Sequence, residues 1–330
     1  MRILVKGAGV AGLAVAHELA SDGFVVEVAD IAPTIGAGAS WLAGGMLAPW
    51  CERESADQRV LAEGKTAADW WEAAVPGEVT RNGTLVVAPQ RDQGELVRFA
   101  SRTSEYEWLD EGGIAELEPA LAGRFRKGLF FREEAHLDPR RALRALHRSL
   151  QGGGVQFHLG VAGDLPEGRY DHVIDCTGSA AIGTLERLRG VRGEMLYLET
   201  EEISLSRPIR LLHPRYPLYI VPRQQGRFMV GATMIESDAD GPPTARSIME
   251  LLNAAYALHP AFGEARVIET GAGVRPAFPD NFPRVVHMGP VLLVNGLYRH
   301  GFLLAPAMAR EVTRLLAAPQ RKQAAIGTMT

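Results

Sequence analysis

Near the start of the chain, residues 2–14 read RILVKGAGVAGLA, an apolar run that breaks into spaced glycines and then into a helical pattern. This order predicts a strand, a phosphate-binding turn and a helix. In such a turn Gly7 permits the tight bend, Gly9 lets a pyrophosphate approach the backbone, and Gly12 lets the helix pack close to the strand. The pyrophosphate then lies at the helix N-terminus, where unpaired N–H groups and the helix dipole favour negative charge.

The residues that follow favour a dinucleotide site over a buried strand and helix joined by small residues. Residues 24–29 predict a second strand, and Asp30 ends it, eighteen residues after Gly12. This is close to the spacing of the acid that accepts a hydrogen bond from a ribose 2′-hydroxyl. The expected fold class is therefore α/β, with a Rossmann-like nucleotide-binding domain.

The composition of the 330-residue chain is that of an ordinary globular protein, with 46% hydrophobic and 22% charged residues. A net charge of −4 argues against a nucleic-acid surface. No apolar run approaches the ~18 residues of a membrane span, and no signal-peptide pattern opens the sequence. Cys51 and Cys176 are too few for a secreted disulfide framework. We expect a soluble cytoplasmic protein with no nucleic-acid or membrane partner.

The order of the predicted elements indicates two interleaved domains. Residues 193–231 are rich in short strands separated by Pro and Gly, which favours an antiparallel sheet, whereas nucleotide-type elements recur at both ends and in the middle. The last helix is expected to start near Leu304, and the Trp70–Trp71 pair is expected to pack in the core. The nucleotide-binding domain is expected at 1–80, 132–190 and 271–330, and the substrate-binding domain, with the antiparallel sheet, at 81–131 and 191–270.

Three further segments carry a family resemblance. Residues 36–49, 175–178 and 296–306, taken with the N-terminal glycines, resemble the D-amino-acid-oxidase-like family of flavin enzymes, and in particular its members that oxidise glycine for thiamine biosynthesis. The likeness spans nearly the whole chain. It implies that the N-terminal glycines hold the FAD pyrophosphate, that residues 36–49 pass the flavin ring, and that the last segment brings a helix N-terminus to the flavin pyrimidine.

The resemblance also implies the residues that bind FAD. Neither Cys51 nor Cys176 matches the C-terminal cysteine that tethers flavin in related sarcosine oxidases, so non-covalent FAD is expected. No group of His, Cys, Asp or Glu has metal-ligand spacing. The expected FAD-binding residues are Gly7, Gly9, Val10, Ala11, Gly12, Asp30, Ser40, Gly44, Gly45, Met46, Thr177, Gly178, Arg299, His300, Gly301, Phe302 and Leu303.

The substrate site is implied by two more segments, residues 219–223 and 271–276. In the family, the tyrosine and arginine that match Tyr219 and Arg275 hold the substrate carboxylate, and the arginine that matches Arg299 lies beside them. A planar guanidinium fork suits a carboxylate, and a phenol adds a neutral donor. Met234 either shapes the pocket or fills the core.

The implied reaction is oxidation of a small amino acid, glycine above others, by hydride transfer from Cα to flavin N5. It produces an imino acid or glyoxylate with ammonia, and hydrogen peroxide forms when oxygen reoxidises the flavin. Sarcosine or a D-amino acid as substrate, an acceptor other than oxygen, and a nucleotide-binding sensor without turnover remain alternatives. A homo-oligomer is expected.

The chain departs from the family pattern in ways that bear on the substrate more than on the fold. Asp30 replaces the usual longer glutamate, and Lys6 lies where these strands are generally apolar or neutral. A second pocket tyrosine of the family aligns with Pro214, while Tyr216 is close but out of register.

Overall fold

The N-terminal unit forms as its sequence predicts. In the computed structural model, which describes residues 1–161, 165–213 and 218–317, strand β1 covers Arg2–Lys6, helix α1 covers Val10–Ser21 and strand β2 covers Val25–Asp30. The two strands pair in parallel, and the middle of β1 is fully buried. A near-continuous apolar strand is typical of a parallel sheet covered on both faces.

The remaining elements continue in chain order. The helices are α2 Pro49–Glu52, α3 Gln58–Gly64, α4 Ala67–Ala74, α5 Gln93–Arg102, α6 Glu111–Leu117, α7 Pro139–Gly152, α8 Ala245–Leu258 and α9 Gly301–Ala317. The strands are β3 Met46–Leu47, β4 Val79–Thr80, β5 Thr84–Val87, β6 Glu107–Asp110, β7 Lys127–Phe131, β8 Ala135–Leu137, β9 Gln156–Leu159, β10 His172–Asp175, β11 Arg189–Glu199, β12 Ile209–Leu211, β13 Leu218–Pro222, β14 Arg227–Gly231, β15 Ile235–Glu236, β16 Arg266–Ala277, β17 Arg284–Met288 and β18 Val291–Asn295.

The first sheet is the Rossmann-like sheet that the sequence predicts. Its order is β17-β18-β10-β1-β2-β9, with parallel pairing throughout except at β17, which runs antiparallel to β18 on the edge. Helix α1 packs against both α7 and α9, so the sheet is buried beneath helices that lie far apart in sequence.

The second sheet is largely antiparallel, as expected for the substrate-binding part. Its order is β15-β11-β14-β13-β12-β5-β7-β6, and β16 pairs along the length of β11. The pairing of β5 with β12 is parallel and joins residues 81–131 to residues 191–270, which the sequence also placed together. A small third sheet, β3-β8-β4, completes the strands. The expected boundary after residue 270 falls inside β16, because this strand stays paired with β11 from Arg266 to Ala277. Elsewhere the division into domains remains a prediction.

The last helix begins three residues before the predicted start near Leu304. Helix α9 starts at Gly301, and the Leu304 N–H donates to the His300 carbonyl over 2.8 Å, which is the first helical hydrogen bond of this turn. Residues 301–303 are therefore helical, although the sequence places them in the preceding loop.

A hydrogen bond from a distant side chain explains the earlier start. Pro306 lies inside α9 and has no N–H to donate to the Phe302 carbonyl four residues before it. The indole N–H of Trp71 donates to that carbonyl instead, over 2.8 Å. Trp71 is fully buried, so it packs in the core as predicted and also satisfies a group that the proline leaves free.

The contact between α1 and the glycine turn gives a stability prediction. A Cβ added at Gly12 would lie 1.8 Å from the carbonyl oxygen of Gly7. Gly12→Ala should lower the free energy of unfolding by about 1–3 kcal/mol, the usual cost of overpacking. Gly94→Ala in the exposed first turn of α5, where a Cβ would meet nothing within 4 Å, should raise it slightly. Equal urea midpoints for the two variants would contradict the close contact.

Candidate functional site

One long cavity joins the two large sheets. Its volume is about 1030 Å³, and it runs from the carboxyl ends of β1, β2 and β10 to residues of β11, β13 and β16. Ligands of open α/β sheets bind at the carboxyl ends of the strands. Pockets for small ligands commonly measure ~300–1,000 Å³, so this cavity lies at the upper end of that range.

The glycine turn has the shape that a pyrophosphate needs. Gly7 has a φ of +99°, and a Cβ there would lie 2.5 Å from the Cys176 carbonyl oxygen. Gly9 is the N-cap of α1 and has no capping side chain, so the start of the helix stays open to the cavity that Gly9, Val10 and Ala11 line. The first N–H groups of a helix lack intrahelical partners and attract anions.

Ser40 and Asp30 border this turn. The Val10 N–H donates to Ser40 Oγ over 3.1 Å. The Asp30 carboxylate accepts from the Ala8 N–H at 2.6 Å and from the Ala32 N–H at 2.8 Å, which fixes its orientation at the end of β2. Each oxygen retains a further lone pair, so a ribose hydroxyl could still donate to it.

The second glycine segment, residues 36–49, passes close to the Tyr219 ring and the Leu137 carbonyl group. A Cβ at Gly44 would lie 2.6 Å from Cε2 of Tyr219, and a Cβ at Gly45, whose φ is +72°, would lie 2.2 Å from the Leu137 carbonyl oxygen. Only glycine lets the backbone pass here. Gly44, Gly45 and Met46 all line the cavity.

The turn after β10 is held by its own side chains. Asp175 Oδ1 accepts from the Thr177 N–H at 2.9 Å and from its hydroxyl at 2.7 Å, and the Asn295 amide donates to the Gly178 carbonyl over 2.9 Å. Thr177 and Gly178 therefore stay at the cavity wall beside Gly7.

The start of α9 forms the far wall of the cofactor region. Residues 299–303 line the cavity, and the positive end of the helix dipole lies there because α9 begins at Gly301. The structure brings all the predicted FAD-binding residues to this one cavity except Gly12, which acts by packing α1 against the turn.

Arg275 lies at the end of the cavity formed by residues of β11, β13 and β16. Among the described residues its guanidinium makes a single hydrogen bond, so other N–H groups stay available to a ligand. Its Nη1 donates to the Thr233 carbonyl over 3.1 Å, and within the described residues it forms no ion pair. Burial lowers the pKa of Arg275 from its ordinary value, but a guanidinium stays charged at neutral pH. Gly193 on the paired strand makes the space, since a Cβ there would lie 2.0 Å from Nη2 of Arg275.

Tyr219 forms another wall of this end. Its ring packs against Gly44 and Gly231, where added Cβ atoms would lie 2.6 Å from Cε2 and 3.2 Å from the hydroxyl oxygen of Tyr219. Burial raises the pKa of Tyr219, so the hydroxyl remains protonated and can donate. Tyr219 and Arg275 both line the cavity, and their predicted role in binding a carboxylate stays a prediction.

Arg299 also lines the cavity, but its guanidinium already has an anionic partner within the protein. Nε lies 2.8 Å from Oε2 of Glu52, Nη2 donates to Ser55 Oγ over 2.7 Å, and Nη1 lies 3.6 Å from Sδ of Met234. The predicted roles of Arg299 and Met234 stay predictions. Met234 is 51% exposed, which excludes its alternative role as core filler.

Glu52 is the site residue that the sequence reasoning missed. Its carboxylate also lies 3.3 Å from Nη1 of Arg210 and 3.3 Å from Nδ1 of His300. Burial alone would raise the pKa of Glu52, but attraction by Arg299, Arg210 and His300 outweighs it and lowers the pKa to about 2. Burial lowers the pKa of His300 to about 4, against the opposing pull of Glu52, so the imidazole is neutral at pH 7.

The available sequence signal for Glu52 was its position three residues after the second glycine segment, residues 36–49. Cys51 and Cys176 are both buried and free, and burial raises the pKa of each thiol, which keeps them in the less reactive protonated form. Asp280 pairs with Arg59 and Arg284, consistent with a structural role.

Three other features of the described chain bear on the site. Across residues 1–161, 165–213 and 218–317 no group of three or more His, Cys, Asp or Glu could hold a metal ion. Over the same residues, no helix is both long and apolar enough to cross a membrane. Pro214 and Tyr216, where the sequence departs from the family pattern, lie outside the described residues.

Two relatives match almost the whole chain in sequence. A protein of Rhizobium etli named "Putative thiamine biosynthesis oxidoreductase ThiO" is 69% identical over 320 residues, covering 97% of this chain and 98% of its own. A glycine oxidase of Bacillus licheniformis is 27% identical over 340 residues, covering 92% of this chain and 89% of its own.

A solved structure and a family model agree with these two relatives. A crystal structure of glycine oxidase from Geobacillus kaustophilus superposes with a TM-score of 0.80 at 21% identity, covering 96% of this chain and 94% of that one. The family model described as FAD dependent oxidoreductase matches residues 2–315. The glycine turn, the cavity and the sequence matches all support the same assignment. The chain belongs to the family of FAD-dependent oxidoreductases.

Proposed function

We propose that this protein is an FAD-dependent oxidase of a small amino acid, glycine above others, that serves the synthesis of the thiamine thiazole. The observation that carries the proposal is Arg275, a guanidinium with free donors beside the protonated hydroxyl of Tyr219, in a cavity that also has a dinucleotide cradle. The names of the Rhizobium and Bacillus relatives support the choice of glycine and of the pathway.

The residues present suit FAD bound without a covalent link. Gly9, Val10 and Ala11 would hold the pyrophosphate at the start of α1, Asp30 would accept from the ribose, and residues 299–303 would face the flavin. Bound FAD supplies, at flavin N5, the acceptor for the hydride that leaves the substrate Cα, and oxygen restores its oxidised form with release of hydrogen peroxide. The N-terminus of α9 stabilises negative charge in this part of the cavity.

Arg275 and Tyr219 position the substrate. The guanidinium fork binds both carboxylate oxygens, and the phenol adds a third donor. These contacts fix the small molecule by its carboxylate, so that orientation supplies much of the rate acceleration. Nδ1 of His300 lies 3.3 Å from Glu52, and hydride loss from a neutral amine needs no protein base. The imino acid then hydrolyses to the oxo acid and ammonia or passes to thiazole formation.

The first test of the proposal is anaerobic reduction of the protein. Glycine added to purified yellow protein without oxygen should bleach the flavin absorbance at saturating concentration. Greater efficiency with sarcosine or D-alanine would move the assignment to those substrates. A flavin spectrum that no amino acid changes would contradict the proposal and would favour a sensor without turnover.

The glycine turn gives a prediction for cofactor content. Gly9→Val should place a branched side chain where the pyrophosphate approaches, so the variant should purify with little or no FAD. Gly94→Val on the exposed start of α5 is the matched control and should keep its flavin. Denatured wild-type protein should release all its FAD into the supernatant. Full flavin content in Gly9→Val would refute the assignment of this turn to the pyrophosphate. Flavin that precipitates with the wild-type protein would refute non-covalent binding.

The carboxylate anchor gives a prediction for catalysis. Arg275→Ala removes two charge-assisted hydrogen bonds of ~1.5–3 kcal/mol each, so kcat/KM for glycine should fall by about two to three orders of magnitude. Arg275→Lys should recover only part of the loss, because a point charge cannot replace the fork. Both variants should keep the flavin spectrum.

The control for this prediction lies on the same strand. Arg266 is exposed at the other end of β16 and pairs with Glu199 at 2.9 Å, so Arg266→Ala should leave kcat/KM unchanged. Wild-type kcat/KM in Arg275→Ala would show that another residue anchors the carboxylate, with Arg299 the next candidate.

A further inference from the structure

A single carboxylate lies between two arginines of the cavity. Glu52, the last residue of α2, has 16% of its side chain exposed and contacts Arg299 at 2.8 Å and Arg210 at 3.3 Å. The side chains of Arg210 and Arg299 are 12% and 20% exposed. These charges are largely removed from water, so their interactions are stronger than those of surface ion pairs.

Arg299 and Arg275 differ in what remains free to bind a ligand. Arg299 forms an ion pair with Glu52, and its two terminal nitrogens contact Ser55 and Met234. Arg275 donates to the Thr233 carbonyl and forms no ion pair among the described residues. The cavity therefore presents one arginine ready for a carboxylate and another whose carboxylate is already supplied by the chain.

We infer that Glu52 determines specificity, by occupying Arg299 and Arg210 in place of a second substrate carboxylate. The inference rests on the proposed function, since it deepens the choice of substrate for the same site. The substrate class is an amino acid with one carboxylate and no second anionic group.

Charge and geometry both exclude a second anion. An acidic side chain of the substrate would meet the ionised Glu52 carboxylate, and like charges placed together in a protected site cost several kcal/mol in binding. It would also meet an Arg299 guanidinium whose charge is already paired with Glu52. A neutral side chain of the same size meets neither obstacle, so the discrimination depends on charge and not on volume.

The experiment measures binding without turnover. Acetate carries one carboxylate, and malonate and succinate carry two at increasing separation. The ligands are titrated into the oxidised holoprotein, and their dissociation constants are read from the flavin spectrum and from the shift in unfolding temperature. Wild-type protein should bind acetate more tightly than either diacid. Glu52→Gln keeps the shape and removes the charge, so it should improve the diacid-to-acetate affinity ratio on the order of tenfold or more.

Two control variants separate the charge of Glu52 from a structural effect. Glu52→Asp retains the carboxylate and should preserve the wild-type preference for acetate. Glu107→Gln removes an exposed negative charge outside the cavity, where the partner is Arg132 at 2.9 Å, and should leave the affinity ratio unchanged. In turnover, Glu52→Gln should raise the efficiency of D-aspartate relative to that of D-asparagine, its neutral isostere.

The results can overturn the inference independently of the proposed function. Tighter binding of malonate or succinate than acetate by wild type would refute it without any variant. An unchanged diacid-to-acetate ratio in Glu52→Gln would also refute it. If glycine fails to reduce the flavin while wild type still prefers acetate and Glu52→Gln loses that preference, the proposed reaction is wrong and the role of Glu52 stands.

Discussion

The close approach of helix α1 to the end of strand β1 is the contact on which the rest of the site depends. A Cβ at Gly12 would lie 1.8 Å from the Gly7 carbonyl oxygen, so the helix packs directly on the turn. This contact places the start of α1 beside the carboxyl ends of β2 and β10. Helix α9 packs on α1, and its own N-terminus reaches the same cavity. Two helix N-termini thereby meet one ligand space, which favours anionic ligands and developing negative charge.

The distribution of charge decides how the rest of the cavity is used. Of the four arginines that line it, Glu52 engages two, and Arg98 pairs with a neighbouring glutamate. The fourth, Arg275, forms no ion pair among the described residues, and Gly193 on the paired strand leaves room for its guanidinium. A free cation in a protected cavity is costly to maintain unless a ligand anion compensates for it. This cost explains why we assign the carboxylate of the substrate to Arg275 rather than to Arg299.

The features that depend on neighbouring residues could be predicted from the sequence, whereas those that depend on distant contacts could not. The β1-α1-β2 unit follows from its apolar run and glycine spacing within thirty residues. The start of α9 was placed too late, because the indole of Trp71, 231 residues before Phe302, donates to the Phe302 carbonyl that Pro306 leaves free. The family resemblance predicted Arg299 as a site residue. Its contact with Glu52 joins residues far apart in the chain, so no local sequence pattern predicts it. Gly193 lies at the start of the strand-rich segment, and its closeness to the Arg275 guanidinium depends on the pairing of β11 with β16.

The most direct test of the central claim is a crystal structure of the holoprotein with glycolate, a carboxylate ligand that has the size of glycine but no amine. The account predicts that both carboxylate oxygens bind the Arg275 guanidinium, that the Tyr219 hydroxyl donates to one of them, and that Glu52 remains on Arg299. A carboxylate bound to Arg299, with Glu52 displaced and Arg275 without a ligand, would contradict it.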